Sequence, residues 1–121
     1  MSLKRVITEF GAGNDLHGGD YTKAAVRAVE DAIHHSSLSL IRSLGIDLRT
    51  MQVEVTIGVP RPDLVDAEAV LAVLPHGSGT VRVVEGGLEI ANDAGTGKTV
   101  VANAAAVVRL DIPADTQGAR R

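Results

Sequence analysis

"NDAGTGKTVVANAAAVVRL", residues 92–110, is the stretch on which the fold turns. Read as a phosphate loop, it opens a helix and makes a nucleotide-binding domain. Read as a glycine turn, it opens a strand. The phosphate-loop pattern G-x-x-x-x-G-K-[ST] follows a strand, precedes a helix and needs its first glycine at position 92 if Lys98 is the motif lysine. That position is Asn92. The residues after Thr99 are rich in β-branched valine and read as a strand, although Ala104–Ala106 leave room for a helix. The chain is therefore not expected to be a P-loop NTPase. Asn92, Asp93, Gly95 and Gly97 suit a hairpin connection, and Lys98 is left at the rim of a sheet, where it can reach an anion.

Outward from this strand, the order of elements is β-α-β-α-β-β. Lys4–Phe10 alternates Val6, Thr8 and Phe10 against Arg5, Ile7 and Glu9, a strand with two unlike faces. Residues 11–20 carry four glycines and read as a loop. A helix begins near Asp20 or Thr22, with Ala25, Val26, Val29, Ile33, Leu40, Ile41 and Leu44 at helical spacing and Gly45 as its stop; Ser36, Ser37 and Ser39 are where it would bend or divide. Met51–Val59 is the cleanest strand, with Val53, Val55, Ile57 and Val59 on one face. Asp63–Leu74 reads as a second helix packed through Leu64, Ala67, Val70, Leu71 and Leu74. Thr80–Ala91 is a strand with Gly86-Gly87 as its point of interruption, and Lys98–Ile112 is the last, closed by Pro113. The expected architecture is α+β: a two-layer sandwich of one mixed four-stranded sheet with two helices on one face. Residues 1–113 form the single domain and 114–121 a loose tail.

The final strand is apolar on both faces, which implies that both are buried. One chain has no element left for the second face, so another subunit is expected to cover it.

The 121 residues include 45% hydrophobic but only 2% aromatic side chains, Phe10 and Tyr21, and the net charge is −3. Few rings and no basic excess argue against nucleic-acid binding. Without cysteine there are no disulfides, zinc thiolates or thiol catalysis. No apolar run reaches the roughly 18 residues of a membrane span, and no signal peptide is visible. A soluble cytoplasmic protein with no membrane partner is the expectation.

The densest chemistry lies in the first loop, "GAGNDLHGGDYTKAA", residues 11–25. Here the chain enters a helix N-terminus, where free N–H groups favour anions. Asp20 is a natural cap. Lys23 in the first turn opposes the helix dipole, which makes sense if it faces an anionic ligand or a carboxylate such as Asp15. His17 has the intrinsic pKa of a general acid and base. The candidate catalytic residues are thus His17, Asp15 and Lys23, and the candidate ligand-binding residues Gly11, Gly13, Asn14, Asp20, Thr22 and Lys98. Asp15, His17 and Asp20 match no metal motif, and neither a metal nor a cofactor is assigned. His34, His35 and His76 read as surface positions.

The run G-x-G-x-D-x-H-G-x-D-x-T-K-A-A, matched by Gly11, Gly13, Asp15, His17, Gly18, Asp20, Thr22, Lys23, Ala24 and Ala25, together with "VVEGGLEI", resembles a small bacterial family of conserved hypothetical proteins. The resemblance spans most of residues 5–112 and supports a site location, not a reaction. The element order also resembles the trimeric chorismate-mutase-like fold shared with the YjgF/Rid imine deaminases and, more loosely, the repeat unit of cyanuric acid hydrolase and barbiturase. Neither the arginine set of the mutases nor the Ser-Lys pairs of the ring-opening hydrolases can be placed here. These resemblances imply a homotrimer with a small polar or anionic metabolite bound between subunits, and hydrolysis or deamination of a cyclic amide or imine. The alternative is a non-catalytic ligand-binding or structural oligomeric module.

Overall fold

The computed structural model describes residues 2–34, 50–74 and 78–112. In chain order these form β1 (Ser2–Asp15), α1 (Tyr21–His34), β2 (Gln52–Val59), a 3-10 turn (Pro62–Leu64), α2 (Ala67–Leu71), β3 (Ser78–Glu85), β4 (Leu88–Ala91) and β5 (Lys98–Ile112). The alanine run in β5 is strand throughout. Flanking valines on a long two-sided ladder outweigh the helix preference of three alanines.

β5 is the spine of one mixed sheet ordered β1-β5-β2-β3, with β4 pairing β5 as well. β1 runs antiparallel along one edge of β5 from Ser2↔Ile112 to Asp15↔Val100. Along the other edge β2 pairs with residues 103–109 and β4 takes over at residues 98–101. β2 and β3 are parallel. The β3-to-β4 passage is made by Gly86-Gly87. Gly87 has φ +64, and a Cβ there would lie 2.2 Å from the Val101 carbonyl oxygen, so only glycine lets the chain slip past the end of β2 onto β5.

Alternation then sorts the faces. Val53, Val55, Ile57 and Val59 of β2 and Val100, Ala102, Ala104, Ala106, Val108 and Leu110 of β5 are buried with Ala24, Ala25, Ala28, Val29 and Ala32 of α1. Each buried valine or isoleucine contributes roughly 1.5–3 kcal/mol relative to exposure. A bulge between Arg5 and Ile7 sets the parity of β1, so that Ile7, Gly11, Gly13 and Asp15 turn toward α1. A Cβ on Gly11 would meet the Ala28 oxygen at 2.4 Å, and one on Gly13 the Ala28 nitrogen at 2.3 Å. The backbones of α1 and β1 therefore touch, with alanines on one side and glycines on the other.

Three sequence expectations change. Residues 11–15 continue β1 instead of forming a loop, because their glycines are the seat of α1. The sheet has five strands, since the Gly86-Gly87 passage divides the expected Thr80–Ala91 strand between two partners. The expected Asp63–Leu74 helix is a 3-10 turn and then α2, because Asp66 starts a helix of its own: its side chain accepts from the N–H groups of Glu68 and Ala69. Leu64, expected in that packing face, is half exposed. Within the single chain β5 is buried on its helix-side face, while on the other face Val101, Ala105 and Val107 are half-buried and Asn103 is exposed; this is the face for which the sequence implies a second subunit. The expected helix positions Leu40, Ile41 and Leu44, with His35, His76 and the 114–121 tail, lie outside the described residues.

Candidate functional site

At the end of the sheet where β1 stops and β5 starts, the two glycine-rich stretches meet. Gly18 bridges to Lys98. The Thr99 hydroxyl donates to the Leu16 carbonyl at 3.0 Å, and a Cβ on Gly97 would lie 2.6 Å from the His17 oxygen. The hairpin between β4 and β5 is closed by Asn92, whose N–H donates to Gly97 and whose carbonyl and side-chain oxygens accept from Gly95 and Thr96. Gly95 takes φ +70 there. GTGKT is thus a hairpin turn that leans on the first loop.

Asp15 organises that loop. It is buried, and its Oδ2 accepts from the N–H groups of Gly18 at 3.1 Å and Asp20 at 2.9 Å. Lys23 Nζ stands 3.7 Å from its Oδ1. The Asp20 N–H above all, then the Lys23 charge and the Gly18 N–H, hold the Asp15 carboxyl below its ordinary range, against the opposing effect of burial. Asp20 in turn accepts from the Lys23 N–H at 3.0 Å and caps α1. The positive end of the helix is therefore met by two carboxylates of the chain itself.

A lowered carboxyl pKa in the folded state stabilises the fold above the unfolded-state pKa, and that contribution is lost as pH falls through the folded value. Asp15→Asn is therefore expected to lower the urea midpoint at pH 7, with the gap to the parent closing once the pH drops below the ordinary aspartate range. A pH-independent gap would show that the carboxylate charge plays no part.

The second cluster joins three elements. The Tyr21 hydroxyl donates to Glu89 Oε1. Lys98 Nζ lies 3.2 Å from the same oxygen and 5.2 Å from the centre of the Tyr21 ring. The Tyr21 hydroxyl bond first, then Lys98, lowers the Glu89 pKa. The Tyr21 hydroxyl and Glu89 raise that of Lys98.

Of the residues singled out in the sequence, Asp15, Asp20, Lys23 and Lys98 thus gather at this junction. The His17 side chain is exposed beside them. Gly11 and Gly13 face α1 and serve packing. Asn14 lies at the β1 edge, where its carbonyl accepts from Arg27 at 2.8 Å and the neighbouring Ala12 N–H donates to Asp31 at 2.9 Å. These helix side chains close the edge of β1 to further strands. The Thr22 hydroxyl accepts from the Asp66 N–H at 2.8 Å and ties α1 to the turn before α2. Sequence reasoning misses Glu89 and gives Tyr21 no role. The hairpin register carries the signal, since closing Asn92 on Gly97 pairs Ala91 with Lys98 and turns Glu89 to the same face as Lys98.

Residues 5–108 match the conserved hypothetical protein family Lin0512_fam. The chain belongs to this family. Its fold is similar to the crystal structure of an FtsZ-like protein of unknown function from Nostoc punctiforme, with 37% identity and a TM-score of 0.78 over 93% of this chain and 99% of that one. No protein of curated function matches. Among the described residues, no helix is long and apolar enough to cross a membrane.

Proposed function

We propose that this member of the Lin0512_fam family is a cytoplasmic homotrimer that binds a small polar metabolite beside the loop–hairpin junction, and that its reaction is hydrolysis or deamination of a cyclic amide or imine. The observation that carries the reading is the convergence of Lys98, Glu89 and Tyr21 with the Asp15–Lys23 pair at one end of the sheet. His17 stands exposed on the same loop, and histidine is the side chain most often used for general acid–base work. Both lysines already face carboxylates, so a neutral polar ligand fits this junction better than an anion.

Assembly is supported by the sheet face opposite the helices. Phe10 is 70% exposed there, and Leu88 and Ile90 are 63% and 64% exposed. Cross-strand register lines up Phe10 with Ala105, Asn14 with Val101 and Val101 with Leu88. Monomeric proteins seldom leave large apolar stripes uncovered, and a second copy of this chain is the proposed cover. The chorismate-mutase-like reading of the element order supplies the threefold symmetry and a site next to the subunit boundary.

The test is turnover by the purified protein of succinimide, hydantoin and simple cyclic imines. Loss of a general acid–base group costs roughly 10²–10⁴ in rate and loss of one preorganised hydrogen-bond donor roughly 10²–10³, so His17→Ala and Lys98→Met are each expected to lose at least about 100-fold with the assembly intact. Binding without turnover in the parent would move the conclusion to a non-catalytic module. That second reading is favoured by Gly11 and Gly13, which the packing of α1 already explains.

A further inference from the structure

We infer that Glu89, Tyr21 and Gly19 position Lys98 as a fixed, charged hydrogen-bond donor that meets its substrate through a neutral carbonyl oxygen and forms no covalent bond with it. The inference rests on the proposed ligand site at this junction and assigns the lysine its role there.

The cradle is built from three sides. The stem of Lys98 crosses Gly19, which has φ +64; a Cβ there would lie 2.8 Å from Lys98 Cε and 3.1 Å from its Cγ. The ammonium sits over the Tyr21 ring at 5.2 Å from its centre, and that ring is anchored in the core, only 4% exposed. Glu89 Oε1 takes the ammonium on one side at 3.2 Å and the Tyr21 hydroxyl on the other. An ammonium has three donors, and the Lys98 side chain remains 36% exposed, so donors are left for a ligand.

A lysine that attacks a carbonyl must first shed its proton, which apolar burial or a second cation promotes. Lys98 has the reverse surroundings: a carboxylate and the electron-rich face of a ring both favour the charged form. Nor do the surroundings suit an anionic substrate, because the carboxylates of Asp15, Asp20 and Glu89 border the same junction. A carbonyl oxygen, which gains electron density as it is attacked, suits a preorganised donor of this kind.

The chain has three lysines, Lys4, Lys23 and Lys98, so each can be followed separately. In side-chain NMR of the full-length protein, the Lys98 ε protons are expected upfield of those of Lys4 because of the Tyr21 ring. The shift is retained in Tyr21→Phe and lost in Tyr21→Leu and Gly19→Ala. In competitive reductive methylation read by mass spectrometry, Lys98 is expected to react several-fold more slowly than Lys4, because its raised pKa leaves less of the free amine that reacts. Glu89→Gln brings it toward the Lys4 rate. Succinimide is expected to move the Lys98 signals and succinate to leave them. Methylation of parental Lys98 at the Lys4 rate, or no change in Glu89→Gln, would overturn the positioning; a response to succinate alone, or to neither probe, would overturn the neutral-carbonyl role. None of these readouts uses turnover, so a held Lys98 in a protein inactive on amides counts against the proposed reaction and not against the cradle.

Discussion

Gly13→Ala is expected to unfold most of the protein at temperatures where the parent is stable. The added methyl would lie 2.3 Å from the Ala28 nitrogen and 2.5 Å from the Ala24 oxygen, both backbone atoms of α1. No side chain can rotate away, so either the helix lifts off the sheet or the strand bends. Overpacking of a core costs about 1–3 kcal/mol, occasionally more, and a clash with backbone belongs at the upper end. About 3 kcal/mol is a large part of the 5–15 kcal/mol that holds an ordinary domain together, and corresponds to a midpoint roughly 10–20 °C lower. Gly95→Ala is the contrasting case. Nothing lies within 4 Å of its Cβ, and the only expected cost is that of a left-handed residue, about 1–2 kcal/mol. Urea titration of both variants separates the two. A Gly13→Ala protein within about 1 kcal/mol of the parent would mean that α1 does not rest on β1 as described.

The second large effect is expected on assembly. Phe10 is 70% exposed in the single chain and is the largest apolar side chain of the proposed subunit contact. Burying a phenylalanine stabilises by roughly 1.5–3 kcal/mol, and an unpaired carboxylate in its place costs more than leaving the site empty. At 1.4 kcal/mol per tenfold, Phe10→Asp is expected to weaken association by at least about 100-fold. The fold itself should be unharmed, because Phe10 contributes nothing to the buried core. Sedimentation at micromolar concentration checks this: a variant that sediments like the parent places the contact elsewhere.

The legible parts of the sequence are those where one period dominates. β2 alternates without exception, and β5 can be told from a helix by its valines and by Asn92 standing where a phosphate loop requires glycine. The extension of β1 is illegible for a physical reason. Gly11 and Gly13 have the composition of a loop, and their use as a seat for α1 shows only once α1 is in place. The same holds for Gly86-Gly87, whose role depends on Val101 lying opposite. At the candidate site, the Asp15–Lys23 pair and the Asp20 cap come from helix-start rules. The Tyr21–Glu89–Lys98 cluster does not, because Tyr21 and Glu89 are 68 residues apart and meet only through the sheet register.

The central claim, that this chain works as an assembly covering its bare sheet face, is tested most directly by light scattering on the purified full-length protein at micromolar concentration. The chain mass is 12.6 kDa. The expected result is three times that mass in the parent and a shift toward the single-chain value in Phe10→Asp. A parent that scatters as a clean 12.6 kDa monomer would contradict the assembly and, with it, any site completed by a neighbouring subunit.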